Sequence, residues 1–358
     1  VKVPYHDLQP ILDIESSAIA DAMARVMKSG RLILGPEVEA FEYELAERMG
    51  YAHAIGVANG TDAIELVLAQ RPSHGGNEVL VPANSAPATV TAVMRAGCRP
   101  VYCEVQRNGI INPEKLGYFL TPQTFAVLAV DLYGQPCDYR ALANFAHARQ
   151  LALYSDGAQA FGSQSTARLY VNAQTISFYP TKALGALGDG GAILTNDQGL
   201  MLDLRARRFY GIYDRRTLQQ DFLGCNSRLD ELQAAILRER MDVAEKWCEV
   251  RRAVAWFYHK WIRTDLQRRS YDHNQNYHIF NIHCQDRDGS RERLAGREIE
   301  TAIHYPIPAH RQSPSAAPYR DLPITEDFCR TTLSLPIWVG MSDDQIHSVV
   351  GGVNELCK

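Results

Sequence analysis

The chain has 358 residues, enough for a large domain and a smaller companion with ample core, and its 46% apolar content is that of a globular protein. A formal charge of -4 leaves no basic footprint for nucleic acid, and no apolar run approaches the roughly 20 residues that span a bilayer. The stretch Val1–Asp7 is too polar for a signal peptide, and the 8 cysteines are scattered without zinc or redox spacing, which predicts a reducing, cytoplasmic setting.

In chain order, residues 14–29 are predicted to form an amphipathic helix closed by Gly30, and Pro36 opens a second that runs to about Met49. Short apolar runs then alternate with helical segments. Strands are predicted at Ala54–Val57, Val79–Val81, Val101–Tyr102, Phe125–Val130, Leu151–Tyr154, Thr175–Phe178 and Ala192–Thr195. Helices are predicted at Thr61–Ala69, about Ala88–Ala96 and Ala141–Arg149. The rhythm predicts an α/β protein whose central sheet is mostly parallel and flanked by helices. Ser227 to about Ile262 reads as one long charged helix that links this part to a smaller C-terminal α+β domain. That domain comprises Tyr277–Cys284, a helix near Arg287–Ala295, Glu298–His304 and a last helix from Ser342. Residues 1–240 are thus assigned to the large domain and 241–358 to the small one.

Ligands of such sheets sit at the carboxyl ends of strands, and the residues that carry chemistry fall there. Asp156, with Gly157, Ala158, Gln159 and Ala160, follows the apolar run Leu151–Tyr154, so its surroundings are partly dry. Lys182 ends the run Ser177-Phe178-Tyr179-Pro180-Thr181-Lys182, just before Gly188-Asp189-Gly190-Gly191. A lone lysine is usually a solvated surface residue. A strand before it and a glycine-rich loop after it reverse that reading, because burial lowers an amine's pKa and makes it nucleophilic. A lysine that forms an imine and a carboxylate that holds a pyridinium nitrogen together predict a pyridoxal 5'-phosphate (PLP) site.

The turn Gly60-Thr61-Asp62-Ala63 follows a predicted strand and opens a helix, whose unpaired N–H groups suit a phosphate. Alone it reads equally as a helix capped by Thr61 or Asp62. Gln159 is placed to reach the ring or its phenolic oxygen, the competing reading being a surface amide. Ser177 is placed to donate to the phosphate, or else to be satisfied by backbone. Arg228 is as ready to pair with Asp230 or Glu231 as to touch a ligand.

The ordered set of motifs resembles the DegT family of sugar aminotransferases, PLP enzymes of the aspartate aminotransferase fold (fold type I). The resemblance rests on Ile33-Leu34-Gly35-Pro36-Glu37-Val38, Phe41-Glu42, Gly60-Thr61-Asp62-Ala63 and Leu132-Tyr133-Gly134-Gln135-Pro136. It continues through Asp156–Ala160, Ser177–Lys182, Gly188–Gly191, Asn226–Arg228, Gln233-Ala234-Ala235, His304-Tyr305-Pro306 and Ser334-Leu335-Pro336. It implies Lys182 as the Schiff-base lysine, Asp156 on the pyridine nitrogen, Gln159 near the phenolic oxygen, and Gly60, Thr61, Asp62 and Ser177 around the phosphate. Asn226 matches an asparagine that crosses a homodimer interface to the neighbour's phosphate, and His304 and Tyr305 match a segment near the sugar. The implied substrates are L-glutamate and a nucleotide-linked ketosugar, with the wording around Lys182 and Asn226 most like the branch that aminates C3 of dTDP-linked 3-keto-6-deoxyhexoses.

Two departures stand out. Ala86 replaces the aromatic ring that many members place over the cofactor, and the loop from Gly162 to Gln174 is short, which is expected to reshape the mouth of the site. Competing readings are amination at C4, a keto-cyclitol substrate, a dehydratase (disfavoured because Lys182 is present where that relative carries histidine) and a catalytically silent regulatory protein. No metal ligand set is expected, and no nucleic acid or membrane partner.

Overall fold

Seven strands build the sheet on which the candidate residues are carried. The computed structural model describes residues 1–71, 76–267, 269–312 and 320–356. Two helices come first, Gln9–Ser29 (α1) and Pro36–Met49 (α2), followed by the strand His53–Val57 (β1) and the helix Gly60–Leu68 (α3). Next come Glu78–Pro82 (β2), Pro87–Arg95 (α4), Arg99–Cys103 (β3), Thr124–Val130 (β4), Tyr139–His147 (α5), Ala152–Asp156 (β5), Ala173–Ser177 (β6) and Gly191–Thr195 (β7). The strands lie in the order β1-β7-β6-β5-β4-β2-β3. Neighbours are parallel from β6 through β3, and β7 runs antiparallel to both β6 and β1. The sheet is therefore mostly parallel and flanked by helices, as its alternating pattern predicts. β4 shows why: six of its seven residues are buried, as a strand covered on both faces requires.

The rest of the chain adds Gln198–Arg207 (α6), the 31-residue helix Glu231–Trp261 (α7), Phe280–His283 (β8), Arg287–Ala295 (α8) and Ala309–Gln312 (α9). Pro323–Thr331 (α10), Thr332–Leu335 (β9) and Asp343–Glu355 (α11) complete it. β8 and β9 pair as an antiparallel ribbon with its own apolar cluster, which includes Tyr258, Ile282, Leu333 and Val353 and also takes in Val3 from the other end of the chain. α7 is unbroken through residue 240 and contributes side chains both to that cluster and to one beneath α2.

Several expected bounds shift. α1 begins at Gln9 rather than at residue 14, with Pro10 in its first turn, and α7 begins at Glu231 rather than Ser227. Glu298–His304 forms no strand and makes only single bridges, Val3 to Ile299 and Ala302 to Ser334. α6, α10 and β9 have no counterpart among the predicted elements. α6 has little amphipathic contrast to betray it, and β9 follows α10 with no intervening turn.

Buried charge fixes the frame. Glu231, at the start of α7, is fully buried, and its carboxylate accepts from the backbone N–H groups of Gly35 (2.8 Å), Glu37 (2.9 Å) and Val38 (2.8 Å). It thereby satisfies the open N–H groups at the start of α2, where the helix dipole favours an anion. One turn further along α2, Glu42 accepts from the Gly56 N–H at 2.8 Å and pairs with Arg208 and Arg205. Replacing Glu231 by Ala strands two buried donors and one half-buried one. The expected result is a loss of about 2–4 kcal/mol in unfolding free energy, measured by urea titration; a loss below about 0.5 kcal/mol would show that the α2 start finds other partners.

Candidate active site

Asp156 closes β5, where its backbone still belongs to the sheet while its side chain leaves it. The Asp156 carboxylate accepts from Thr89 Oγ1 at 2.7 Å and from the Ala158 N–H at 3.1 Å, and Thr89 in turn accepts from Ser85 Oγ at 2.8 Å. Burial pushes the carboxyl above its ordinary range, while the Thr89 hydroxyl, the Ala158 N–H and Lys182 pull it back.

Lys182 is held by a folded-back loop between β6 and β7. The Phe178 N–H donates to Gly190 O (2.8 Å), the Ala186 N–H to Phe178 O (2.7 Å) and the Lys182 N–H to Tyr179 O (2.8 Å). The Phe178 ring anchors the loop in the core, edge-on to Phe41 with centroids 5.3 Å apart. Burial lowers the Lys182 ammonium from the ordinary lysine range to about 8, with Asp156 opposing the shift. Nζ lies 3.5 Å from His278 Nε2, and burial together with the nearby cations holds that imidazole well below its ordinary pKa and so neutral.

Both groups line one cavity of about 250 Å³, together with Asn59, Gly60, Thr61, Ala86, Thr89, Gln159 and Ser177. At its α3 end the N-cap is Asn59, whose side chain accepts from the Asp62 N–H at 2.8 Å, while Asn59 O accepts from the Ala63 N–H. That leaves the Gly60 and Thr61 N–H groups as the donors at the helix start. A side chain on Gly60 would bring its Cβ to 2.8 Å from Ser177 Cβ, and one on Gly191 would collide with the Asn59 carbonyl, so the cradle is built tight.

The expected site residues divide. Gly60, Thr61, Asp156, Gln159, Ser177 and Lys182 converge on the cavity. Asp62 does not line it: Ser227 Oγ donates to its carboxylate at 2.8 Å and Arg95 pairs with it at 3.3 Å, so the side chain turns away to tie α3 to the Ser227 loop. Asn226 is exposed on a segment bridged to Phe209, away from its own chain's cavity. Arg228 lies over the Phe209 and Tyr210 rings, with centroids at 5.6 and 5.8 Å, instead of pairing with Asp230 or Glu231. Burial pushes the Tyr305 phenol up while Gln159 holds it down, and His304 Nδ1 lies 3.0 Å from Ser334 Oγ. Ala86 does line the cavity, at the start of α4. The Gly162–Gln174 loop borders a groove with Arg48, Arg252 and Asn274.

Sequence reasoning missed Thr89, Tyr133 and His278. Tyr133 occupies a left-handed turn (φ 66°), donates its N–H to Gln159 Oε1 at 2.6 Å, and spans Asn84 Nδ2 (3.0 Å) and His304 O (2.6 Å) with its hydroxyl. With Oε1 taken by a donor, the Gln159 amide nitrogen is the end left for the cavity and Tyr305. The Leu132–Pro136 motif was visible in sequence, but its contact with Gln159 is made across the fold and leaves no local pattern.

The sequence profile of the DegT/DnrJ/EryC1/StrS aminotransferase family matches residues 13–354. The chain is 37% identical to the dTDP-3-amino-3,4,6-trideoxy-alpha-D-glucose transaminase of Streptomyces venezuelae, over 100% of this chain and 97% of that one. It is 38% identical to the dTDP-3-amino-3,6-dideoxy-alpha-D-galactopyranose transaminase of Aneurinibacillus thermoaerophilus, covering 98% and 99%. Among solved structures, S. venezuelae DesV in complex with a ketimine intermediate superposes with a TM-score of 0.92 at 36% identity, covering 100% of this chain and 99% of that one.

Two outcomes follow from the geometry. The rate at which cofactor-free protein takes up PLP, followed by absorbance, should rise with pH through a midpoint near 8, because only the unprotonated Lys182 amine reacts. A midpoint at the ordinary lysine value would contradict the burial. Thr89→Val removes a hydrogen bond that orients Asp156 and should weaken PLP binding about tenfold by fluorescence titration, with the fold intact by circular dichroism.

Proposed function

Since this chain belongs to the DegT/DnrJ/EryC1/StrS aminotransferase family, whose members are PLP-dependent sugar aminotransferases, we propose that it transfers the amino group of L-glutamate to C3 of a dTDP-linked 3-keto-6-deoxyhexose. The observation that carries the reading is the meeting of Lys182 and Asp156 in one cavity beside a helix start. Two similar relatives named for their products place the nitrogen at C3, which supports that position for this chain.

The donor set fits PLP. Asp156 would hold the ring nitrogen, Lys182 the aldehyde carbon, Gly60, Thr61 and Ser177 the phosphate, and Gln159 would lie by the phenolic oxygen. When bound, PLP supplies a carbonyl that exchanges amines and a protonated ring that draws electrons from the substrate carbon. The chain does the rest. Asp156, fixed by Thr89 and Ala158, would keep the ring nitrogen protonated. Lys182, once displaced, is a base and acid at Nζ whose pKa near 8 lets it take and return a proton at neutral pH. Neutral His278 at 3.5 Å offers Nζ a polar neighbour that adds no charge. The small Ala86 side chain in the cavity wall would offer a bound ring no aromatic stacking, which is worth about 0.5–1.5 kcal/mol.

The active unit proposed is a homodimer. Asn226 is exposed and does not line its own cavity, and Ile33, Leu187, Tyr210 and Leu223 are exposed apolar side chains of the kind that pack against a second copy. Among the described residues no helix is long and apolar enough to cross a membrane, and no cluster of His, Cys, Asp or Glu could hold a metal ion.

The test is turnover of purified, PLP-loaded protein with glutamate and either a 3-keto or a 4-keto dTDP-sugar, products read by mass spectrometry. Amination of the 3-keto sugar is expected, falling by about a thousandfold or more in Lys182→Ala. Turnover of the 4-keto sugar alone would move the reaction to C4, and no turnover with any ketosugar despite bound PLP would favour a silent regulatory protein.

A further inference from the structure

The segment 85–91 is a wall shared by two cavities. Ala86, Ala88 and Thr89 line the one that also contains Asp156 and Lys182, while Ser85, Pro87, Val90 and Thr91 line a second, of about 150 Å³, together with Ala309 of α9. A line of hydroxyls crosses this wall. Ser85 Oγ donates to Thr89 Oγ1 at 2.8 Å, Thr89 Oγ1 donates to Asp156 Oδ2 at 2.7 Å, and all three side chains are buried. Asp156 Oδ1 accepts from the Ala158 N–H at 3.1 Å. Among the described residues neither hydroxyl has a further partner.

The wall does not need the Ser85 hydroxyl to stand. The N-cap of α4 is Ala86, and no side chain caps that helix. Ala83 O accepts from the Ala309 N–H at 2.8 Å, and the Asn84 amide donates to Gly109 O at 3.1 Å and to Tyr133 Oη at 3.0 Å. Neighbouring residues thus fix the backbone on which Ser85 sits.

Counting protons gives the line a direction. A hydroxyl has one proton to give and lone pairs with which to receive. While Asp156 is a carboxylate, each hydroxyl gives its proton toward it, and Thr89 also receives one. A proton on Oδ2 would turn the line round: Thr89 would have to donate to Ser85, and Ser85 away from Thr89, where no acceptor stands among the described residues. A proton on Oδ1 would face the Ala158 N–H, donor against donor. A buried donor left unmade is costly, so the line as built favours the anion. Burial pushes this carboxyl toward neutrality, and the Thr89 hydroxyl opposes that push.

We propose that Ser85 is a positioning residue: by donating to Thr89 it commits the Thr89 proton to Asp156, and so keeps ionised the carboxylate that faces the ring nitrogen. Without Ser85 the Thr89 hydroxyl is free to turn back onto a carbonyl of its own helix turn, as threonines in helices do. An ionised acid makes a charge-assisted bond to a protonated ring nitrogen, and a neutral one does not. The inference rests on the PLP reading of the cavity and adds to it what sets the strength of the ring-nitrogen contact.

The experiment titrates cofactor-free protein, by fluorescence, with PLP and with its 1-deaza analogue, in which CH replaces the ring nitrogen while aldehyde and phosphate remain. Ser85→Ala should raise the PLP Kd about three- to tenfold and leave the Kd of the analogue within about twofold of wild type, because only PLP offers Asp156 a proton. Ser85→Thr, which keeps the hydroxyl, should recover most of the lost affinity. Adding Ser85→Ala to Thr89→Val should weaken PLP binding by less than about twofold beyond Thr89→Val alone, since the effect runs through Thr89. An unchanged PLP Kd in Ser85→Ala overturns the proposal. So does an equal loss for PLP and its analogue, which would mark a loosened wall, and so does an additive double variant, which would mark a separate route. If wild-type protein binds neither compound, the cofactor reading falls and the proposal with it. If wild-type protein binds PLP and aminates a ketosugar while Ser85→Ala binds PLP equally well, the proposal falls alone.

Discussion

The desolvation of two opposite charges at one strand-end cleft governs this molecule's chemistry. Asp156 and Lys182 are each driven toward neutrality by burial, and each is pulled back toward charge by the other. Their separate anchors make the arrangement stable. Asp156 belongs to the parallel sheet and is steadied by Thr89 on α4, whereas Lys182 belongs to a loop pinned by the buried Phe178. An amine so placed is ready to react near neutral pH, and a carboxylate so placed has a strong preference for a protonated ring nitrogen beside it.

The sheet and the core of the site were legible in the sequence because both write local patterns. Buried parallel strands are continuous apolar runs such as Phe125–Val130, and Lys182 stands between a strand and a glycine-rich loop. Bounds drifted where one residue admits two readings: Pro10 lies in the first turn of α1, and Ile11 already belongs to the buried face that continues through Ile19, Ala22 and Val26. The error at Asp62 has the same origin. In sequence Thr61 and Asp62 read as caps, and only the fold shows that Asn59 takes the cap while Asp62 holds Ser227 and Arg95.

Residues that act through tertiary contact were not legible at all. Thr89 reads as one β-branched residue in a helix start, and His278 as a histidine in an apolar strand. Gln159 shows the intermediate case: its type and position were readable, but the hydrogen bond from the Tyr133 N–H that orients its amide depends on a left-handed turn of an aromatic residue, a conformation that sequence pattern disfavours.

α7 has a mechanical consequence. One uninterrupted rod carries Glu231, locked onto the head of α2, at one end and Tyr258, set in the β8–β9 cluster, at the other. The rod acts as a stiff strut: shifting one of these ends against the other requires bending or breaking the hydrogen-bond ladder between them.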